Sequence, residues 1–194
     1  MRIDPSTFES AYARSGDPWD FDGSPYEQRR YDLTVAALPR TRYRRCFEPG
    51  CSIGVLTERL AEVADEVIGC DPSPSAVASA SERLAAHGAV TIEVGSLPQW
   101  WPEGTFDLLV FSELGYYWDL GELDSLVERL HTLLRPEAHV VAVHWLGESP
   151  DHLLSGEQVH DVLRRRFGPS AFRHASDTRA AGAGFLLERW ELRR

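Results

Sequence analysis

Residues 47–56, with the sequence FEPGCSIGVL, combine an acid with closely spaced small residues. The stretch follows the pattern acid-x-G-x-S-x-G, formed by Glu48, Gly50, Ser52 and Gly54. Small residues allow the backbone to approach a ligand closely, and the N-terminus of a following helix favours a phosphate or a carboxylate. The dinucleotide fingerprint G-x-G-x-x-G is not matched, so the loop predicts cofactor binding without identifying the cofactor.

Two acids at expected strand ends narrow the choice of cofactor. Glu48 would repel a pyrophosphate but would pair with an ammonium group, which disfavours NAD. Asp71 lies about twenty residues past the glycines, where a carboxylate can accept hydrogen bonds from both ribose hydroxyls. A ribose and a free amine together describe S-adenosylmethionine, although Asp71 could instead be a turn residue that leads into Pro72.

Composition and charge limit the class of protein. At 194 residues and 43% apolar content, the chain fits one globular domain over residues 1–194. The net charge of -10 opposes nonspecific binding to nucleic acid and favours a small-molecule partner. Three cysteines without C-x-x-C spacing support neither a disulfide framework nor a metal site. With no long apolar run and no export signal, we expect a cytoplasmic protein without a membrane partner, whose oligomeric state is unknown.

The elements that must position these residues alternate along the chain. Strands are predicted over residues 44–48, 66–70, 90–94, 106–111 and 139–145, and a C-terminal hairpin over residues 171–178 and 184–192, with its turn at 179–183. Helices are predicted from residue 24 to about 38, over 52–63, from 73 to 88, around 123–134 and over 155–167. This pattern predicts an α/β fold with a doubly wound, seven-stranded, mostly parallel sheet, an antiparallel C-terminal hairpin strand and helices on both faces.

Several helix starts carry recognisable capping residues. Ser24, Pro25 and Glu27 have the form of a capping box, and Ser155 with Gln158 has the same form. A serine at position 73 followed by a proline predicts another start, immediately after the acid of the second loop. In such a sheet the ligand lies beyond the carboxyl ends of the strands, so the loops after the strands are the candidate site.

Four segments of the chain resemble those of a known family. The segments FEPGCSIG, VIGCDPSP, FDLLVFSELGYYW and LLRPEAHVVAVHW are similar to those of class I S-adenosylmethionine-dependent methyltransferases, and within them of the NodS-like nodulation N-methyltransferases. The resemblance covers nearly the whole chain and implies a Rossmann-like fold. It also implies S-adenosylmethionine as cofactor, S-adenosylhomocysteine as product and, less specifically, a deacetylated chitooligosaccharide amine as acceptor.

Carried over residue by residue, the resemblance implies a cofactor site, within which two positions depart from the family. The implied residues are Tyr26, Arg30, Glu48, Gly50, Cys51, Ser52, Gly54, Asp71, Pro72, Ser96, Leu97 and Ser112. Ser52 replaces the usual middle glycine. Ser96 and Leu97 stand where the family often has an aspartate that faces the adenine amine, and Pro72 would lie against adenine.

Methyl transfer places limited demands on side-chain chemistry. Positioning of the nucleophile behind the methyl group can supply up to roughly 7 to 11 kcal/mol, so a dedicated base is optional. An amine acceptor must lose its proton before attack, and Glu113 or His144, at the ends of the fourth and fifth strands, could accept or orient that proton. Glu113 could instead contact the cofactor, and His144 could be a satisfied core residue.

Aromatic residues and the N-terminal segment complete the predicted site. The substrate is assigned three aromatic residues, Tyr116, Tyr117 and Trp145, because aromatic rings could face a cationic group on it. Ordinary core packing of these rings is the alternative. Residues 1–39 are predicted to form a helical lid, in which Arg30 meets the carboxylate of the cofactor. Alternatively, that segment simply covers the sheet.

The sequence thus predicts a methyltransferase that modifies an amine of a small molecule or amino sugar. Transfer to oxygen remains an alternative, as does a noncatalytic module that binds the same cofactor. A nicotinamide oxidoreductase would need a third glycine at the right spacing and would not favour Glu48.

Overall fold

The structure is a computed structural model that describes residues 4–176 and 184–193. Contacts between Cα atoms divide it into two compact units, one over residues 4–104 and one from residue 105 onward. The expectation of a single domain over residues 1–194 stays a prediction.

The first unit contains three parallel strands and the helices that follow them. Its elements are α1 (Pro5–Ser15), α2 (Pro25–Ala36), β1 (Cys46–Pro49), α3 (Val55–Val63), β2 (Val67–Asp71), α4 (Pro74–Arg83) and β3 (Val90–Val94). Both β1 and β3 pair with β2 in parallel. Parallel pairing places the loops after β1 and β2 at the same edge of the sheet, where the predicted cofactor residues lie.

The second unit combines parallel and antiparallel pairing. Its elements are β4 (Phe106–Ser112), a 3₁₀ turn (Gly115–Tyr117), α5 (Leu120–Thr132), β5 (Leu134–Trp145), α6 (Gly156–Phe167), β6 (Phe172–Ala175) and β7 (Phe185–Glu191). Strand β4 is parallel to β5, whereas β7 is antiparallel to both β5 and β6. The antiparallel C-terminal strands are confirmed, and the predicted turn over residues 179–183 lies outside the described residues.

The described strands form one sheet of seven, in the order β3-β2-β1-β4-β5-β7-β6. This confirms the predicted α/β class with a mostly parallel sheet. Strand β4 up to Phe111 and residues 138–144 of β5 are continuously buried and mostly apolar, as expected of strands covered on both faces. Among the residues that the structure describes, no helix has both the length and the apolarity needed to cross a membrane.

Two of the three predicted serine caps form. The Ser73 side chain accepts a hydrogen bond from the Ala76 N–H, and Ser155 forms a reciprocal capping box with Gln158. The capping box at Ser24 was wrong, because the Ser24 side chain makes no cap hydrogen bond. The partner expected for it, Glu27, instead accepts hydrogen bonds from the Arg30 guanidinium one turn further along the helix.

Several predicted boundaries were also wrong. Helix α3 begins at Val55 and not at Ser52, because residues 50–54 form a loop with left-handed backbone at three positions. Helix α4 ends at Arg83, five residues before the glycine predicted to end it. Strand β5 begins at Leu134, where Leu134 pairs with Phe106 ahead of a register shift, and not at residue 139.

Candidate active site

The loop after β1 is shaped by its backbone. Gly50, Ser52 and Gly54 have φ angles of 74°, 52° and 80°, a left-handed region in which glycine is favoured and serine is uncommon. Ser52 is held in this conformation by a 3.0 Å hydrogen bond from its N–H to Oδ2 of Asp71. At Gly54 an added Cβ would come within 3.3 Å of the Ala80 backbone, so the loop packs tightly on α4.

Asp71 joins the loops that follow β1 and β2. Its Oδ2 accepts from Ser52, and its Oδ1 accepts a 2.9 Å hydrogen bond from the Ser73 N–H. The side chain is buried, and burial raises its pKa to about 6 although both backbone hydrogen bonds favour the carboxylate. A carboxylate oxygen can accept two hydrogen bonds, so each oxygen retains capacity for a ligand hydroxyl.

Glu48 is a buried acid at the third position of β1. Only 3% of its surface is exposed, and its Oε2 accepts a 2.6 Å hydrogen bond from the Thr57 hydroxyl on α3. Burial raises the pKa of Glu48 to about 8, against the hydrogen bond from Thr57, which favours the ionised form. An acid in this state suits an ammonium partner, whose charge would stabilise the carboxylate.

Helix α1 contacts both loops and contributes two side chains that sequence reasoning missed. The Glu9 carboxylate accepts hydrogen bonds from the Ser73 hydroxyl at 2.6 Å and from the Ser75 hydroxyl and N–H at 2.7 and 3.1 Å. The hydroxyl groups of Tyr12 and Ser52 are 2.5 Å apart. The N-terminal helix is therefore fastened to the start of α4 and to the cofactor loop.

Arg83, at the end of α4, is a further contact that the sequence did not indicate. Its Nε donates a 3.1 Å hydrogen bond to the Ile53 carbonyl in the cofactor loop. Its guanidinium also forms a 2.9 Å ion pair with Asp22, in the segment between α1 and α2. This segment includes Trp19, which stacks on Phe21 and meets the ring of Tyr12 edge-on.

The two residues predicted in α2 lie in its first half. Arg30 is buried, donates a 2.9 Å hydrogen bond from Nε to Glu27 and lies over the ring of Tyr31 at 5.2 Å. Tyr26 occupies the first turn of the same helix. The charge of Arg30 is thus partly balanced by Glu27 within α2, and its contact with a cofactor carboxylate stays a prediction.

The remaining predicted cofactor residues fall in or beside loops. Pro72 lies between Asp71 and the helix cap at position 73. Ser96 donates a 3.3 Å hydrogen bond from its hydroxyl to the carbonyl of the buried Leu97. Cys51 is buried, and burial raises the pKa of its thiol well above the ordinary value, so its backbone and not a thiolate would face a ligand. Ser112 ends β4.

Residues 113–118, which follow β4, form what we call the acceptor turn. Glu113 has a φ of 53°, and its N–H donates a 2.8 Å hydrogen bond to the Val143 carbonyl on β5. The Tyr116 hydroxyl donates to Oε2 of Glu113. The carboxylate is therefore oriented by a neighbouring phenol, at a position of left-handed backbone, a costly conformation that is concentrated at functional sites.

Aromatic rings gather beside the acceptor turn. Tyr116 stacks on His152, with ring centroids 3.7 Å apart, and Tyr117 meets Tyr116 edge-on at 5.0 Å. Trp145 lies edge-on to His152 at 6.0 Å. The three predicted substrate residues thus share a cluster with His152, whose place in the irregular segment after β5 gave no sequence signal.

His144, the second predicted proton acceptor, is fully buried at the end of β5. Its Nε2 accepts a 3.1 Å hydrogen bond from the Gly115 N–H, and its Nδ1 lies 3.2 Å from Nε2 of His160. Nδ1 of His160 lies 2.8 Å from the buried Glu188 carboxylate. Sequence reasoning missed His160 and Glu188 because a single polar or acidic residue within an apolar helix face or strand has no local signature.

Comparisons with known proteins agree on one family. The sequence model of the family described as Nodulation protein S (NodS) matches residues 10–185. Nodulation protein S of Rhizobium tropici is 31% identical over 127 residues, which are 64% of this chain and 53% of that protein. The chain therefore spans about half the length of this curated relative.

Two crystal structures are also similar. A candidate methyltransferase from Pseudomonas syringae is 40% identical, with a TM-score of 0.73 over 86% of this chain and 98% of that one. The N-methyltransferase NodS from Bradyrhizobium japonicum WM9, solved with S-adenosylhomocysteine, has a TM-score of 0.86 over 97% and 98% of the two chains, at 23% identity. The latter likeness supports the fold.

Proposed function

The chain belongs to the NodS family, and we propose that it transfers a methyl group from S-adenosylmethionine to an amine nitrogen of a small molecule. The observation that carries the proposal is the pair of buried acids, Glu48 near the end of β1 and Asp71 at the end of β2, beside a loop with left-handed backbone at three positions. The Bradyrhizobium relative, an N-methyltransferase bound to S-adenosylhomocysteine, supports both the cofactor and nitrogen as the acceptor atom.

The donor set of the first unit fits this cofactor. Glu48 offers a desolvated acid to an ammonium group, and Asp71 offers two preoriented oxygens to a pair of ribose hydroxyls. A protonated Glu48 would offer a pyrophosphate no charge attraction and an ionised one would repel it, which argues against a dinucleotide. Ser52 takes a left-handed conformation of the kind that glycine favours, so the serine is accommodated in the loop in place of the usual glycine.

The second unit supplies the acceptor residues of the proposal. S-adenosylmethionine, when bound, supplies an electrophilic methyl group on a sulfonium. Glu113 accepts or orients the proton that the acceptor amine must lose, and Tyr116 holds that carboxylate through its hydroxyl. The rings of Tyr117 and Trp145 face a cationic acceptor and exclude water from it.

The N-terminal segment is the proposed lid. Glu9 and Tyr12 fasten α1 to the loops after β2 and β1, so closure of this helix would shield a bound cofactor from water. We propose a cytoplasmic enzyme with a small-molecule acceptor and no nucleic-acid partner, consistent with its net charge of -10.

An acceptor screen tests this function. Purified protein is incubated with methyl-labelled S-adenosylmethionine and panels of amines, including amino sugars, and of matched alcohols and phenols. Methylated amines are expected, and a product methylated on oxygen would refute the nitrogen assignment. Binding of S-adenosylhomocysteine without turnover on any panel would instead support the noncatalytic alternative.

A further inference from the structure

Three buried titratable side chains form a hydrogen-bonded chain between β5, α6 and β7. They are His144, His160 and Glu188, of which the two histidines have no exposed surface and Glu188 is 1% exposed. The chain joins the Gly115 N–H at one end to Glu188 at the other. The proposed reaction makes no use of His160 or Glu188, although burying such groups without a role is costly.

The partner at the first end fixes the protonation of His144. A backbone N–H can only donate, so Nε2 of His144 accepts from Gly115 and carries no proton. In a neutral imidazole the proton is then on Nδ1, which donates to Nε2 of His160 at 3.2 Å. The tautomers are assigned here from the hydrogen-bond partners.

The Glu188 carboxylate, at the other end of the hydrogen-bonded chain, requires the same direction of proton donation. Burial opposes ionisation of Glu188, but hydrogen bonds from His160, Arg164 and Ser170 outweigh it and lower its pKa to about 2. The carboxylate therefore accepts, and Nδ1 of His160 donates at 2.8 Å. Burial lowers the pKa of His160, so this ring is neutral and its Nε2 is an acceptor, as the first end requires.

The acceptor turn packs directly against the hydrogen-bonded residue His144 and against α6. A Cβ added at Gly115 would lie 2.3 Å from Cγ1 of Val159 on α6 and 3.1 Å from Nε2 of His144. Helix α6 packs on the same turn and also carries His160. A shift of His144 or of α6 would thus move the segment that bears Glu113 and Tyr116.

We propose that His160 and Glu188 are positioning residues for the acceptor turn, which they hold by fixing His144 as the Nδ1–H tautomer that accepts from Gly115. The proposal rests on the proposed methyl transfer, because the turn carries the residues assigned to the acceptor. It gives His144 a positioning role in place of the alternative role as a base, since its Nε2 lone pair is committed to the backbone.

Nuclear magnetic resonance tests the hydrogen bonds among His144, His160 and Glu188 without requiring enzymatic activity. Two-bond proton–nitrogen spectra of histidine-labelled protein are expected to show His144 and His160 as neutral Nδ1–H tautomers between pH 6 and 8. The Gly115 amide should exchange slowly in the wild type. An Nε2–H tautomer or an imidazolium at His144 would overturn the proposal.

Two variants at one position separate positioning from base catalysis. In His144→Gln the amide oxygen can accept from Gly115 and the amide N–H can donate to His160, so the direction of the chain is kept without a titrating group. His144→Leu removes both hydrogen bonds. We expect His144→Gln to keep kcat within about fivefold and to keep the pH profile, and His144→Leu to lower kcat/KM about tenfold or more.

Loss of activity and of one ionisation from the pH profile in His144→Gln would identify a base and overturn the proposal. If His144→Leu does not fold, as judged by thermal unfolding, the spectra and the His144→Gln kinetics decide without it. A wild type that methylates no amine but shows the expected tautomers and a slow Gly115 amide would refute the proposed function alone. An enzyme that methylates an amine but has other tautomers at His144 and His160 would refute only the positioning role proposed for His160 and Glu188.

Discussion

The Thr57 hydroxyl lies 2.6 Å from Oε2 of Glu48, and this is a hydrogen bond between two fully buried side chains. Burial raises the pKa of Glu48 to about 8, so at neutral pH the acid is mostly protonated before a ligand binds. An ammonium ligand would require the carboxylate. Binding of the cofactor should therefore release a proton from Glu48.

The first prediction is that affinity for S-adenosylhomocysteine rises with pH. Below pH 8 each unit of pH increases the fraction of ionised Glu48, so the dissociation constant should fall by up to about tenfold per unit and then level off. Calorimetry at pH 6, 7 and 8, in buffers of different ionisation enthalpy, measures both the affinity and the proton released.

Two variants serve as controls for this linkage. Glu48→Gln should bind more weakly at pH 8 and should lose the proton release, and the difference between wild type and variant cancels any titration of the ligand itself. Thr57→Val removes the hydrogen bond that favours the carboxylate, so its curve should shift to higher pH. An affinity that does not depend on pH in the wild type would contradict the pairing of Glu48 with the ammonium group.

The second prediction concerns the ribose. Asp71→Ala should weaken S-adenosylmethionine and S-adenosylhomocysteine alike, by about 10- to 100-fold, because the variant loses charge-assisted hydrogen bonds to a group that both ligands share. Calorimetry measures both affinities. Asp65→Ala, at an exposed acid paired with Arg42 within the same unit, is the matched control and should bind normally.

Unchanged affinity in a folded Asp71→Ala protein would remove the ribose assignment. Tighter binding of NADH than of S-adenosylmethionine by the wild type would go further, since it would contradict the choice of cofactor. The variant also loses the hydrogen bonds that Asp71 accepts from Ser52 and Ser73. Asp71→Asn keeps one acceptor oxygen and should therefore show an intermediate loss.

A structural feature could be predicted from the sequence when residues close together in the chain determined it. Most of the strands, and a loop of small residues between the first strand and its helix, were predictable because apolar runs and spacing along one strand–loop–helix unit encode them. The capping box at Ser24 failed because Glu27 had a competing partner, Arg30, three residues away. A local pattern is thus decisive only where no nearby charge competes for the same side chain.

Most of the site contacts that the sequence did not predict join residues that are far apart in the chain. Tyr12 reaches Ser52 across 40 residues, and Glu9 reaches Ser75 across 66. Asp4 caps α1 ahead of a proline, a signal that could have placed the helix but not its partners. His160 and Glu188 are separated by 28 residues, and only the folded sheet brings them together.

The third prediction concerns the N-terminal helix. Tyr12→Phe removes the hydroxyl that meets Ser52, so S-adenosylhomocysteine should dissociate about 2- to 10-fold faster while the fold is kept. Stopped-flow fluorescence can follow the release, because Trp19 contacts the ring of Tyr12. Ser10→Ala, on the same helix, is the control, because the Ser10 hydroxyl donates its hydrogen bond to the Ser6 carbonyl within α1. Equal release rates in Tyr12→Phe and wild type would contradict a role of the Tyr12–Ser52 contact in holding α1 over the cofactor.

The last prediction is that Glu113→Gln lowers kcat more than it weakens cofactor binding. The neutral amine is the reactive form, so kcat/KM of the wild type should rise with pH toward the pKa of the acceptor, and loss of the carboxylate should shift or flatten that rise. Tyr116→Phe keeps the carboxylate but removes the hydroxyl that orients it, so a smaller loss in kcat with a preserved pH profile is expected. Steady-state kinetics across pH, with calorimetry of S-adenosylhomocysteine for each variant, separate the two effects. If Glu113→Gln kept both its kcat and its pH profile, positioning of the amine alone would account for the rate, and Glu113 would be no more than part of the turn that shapes the acceptor site.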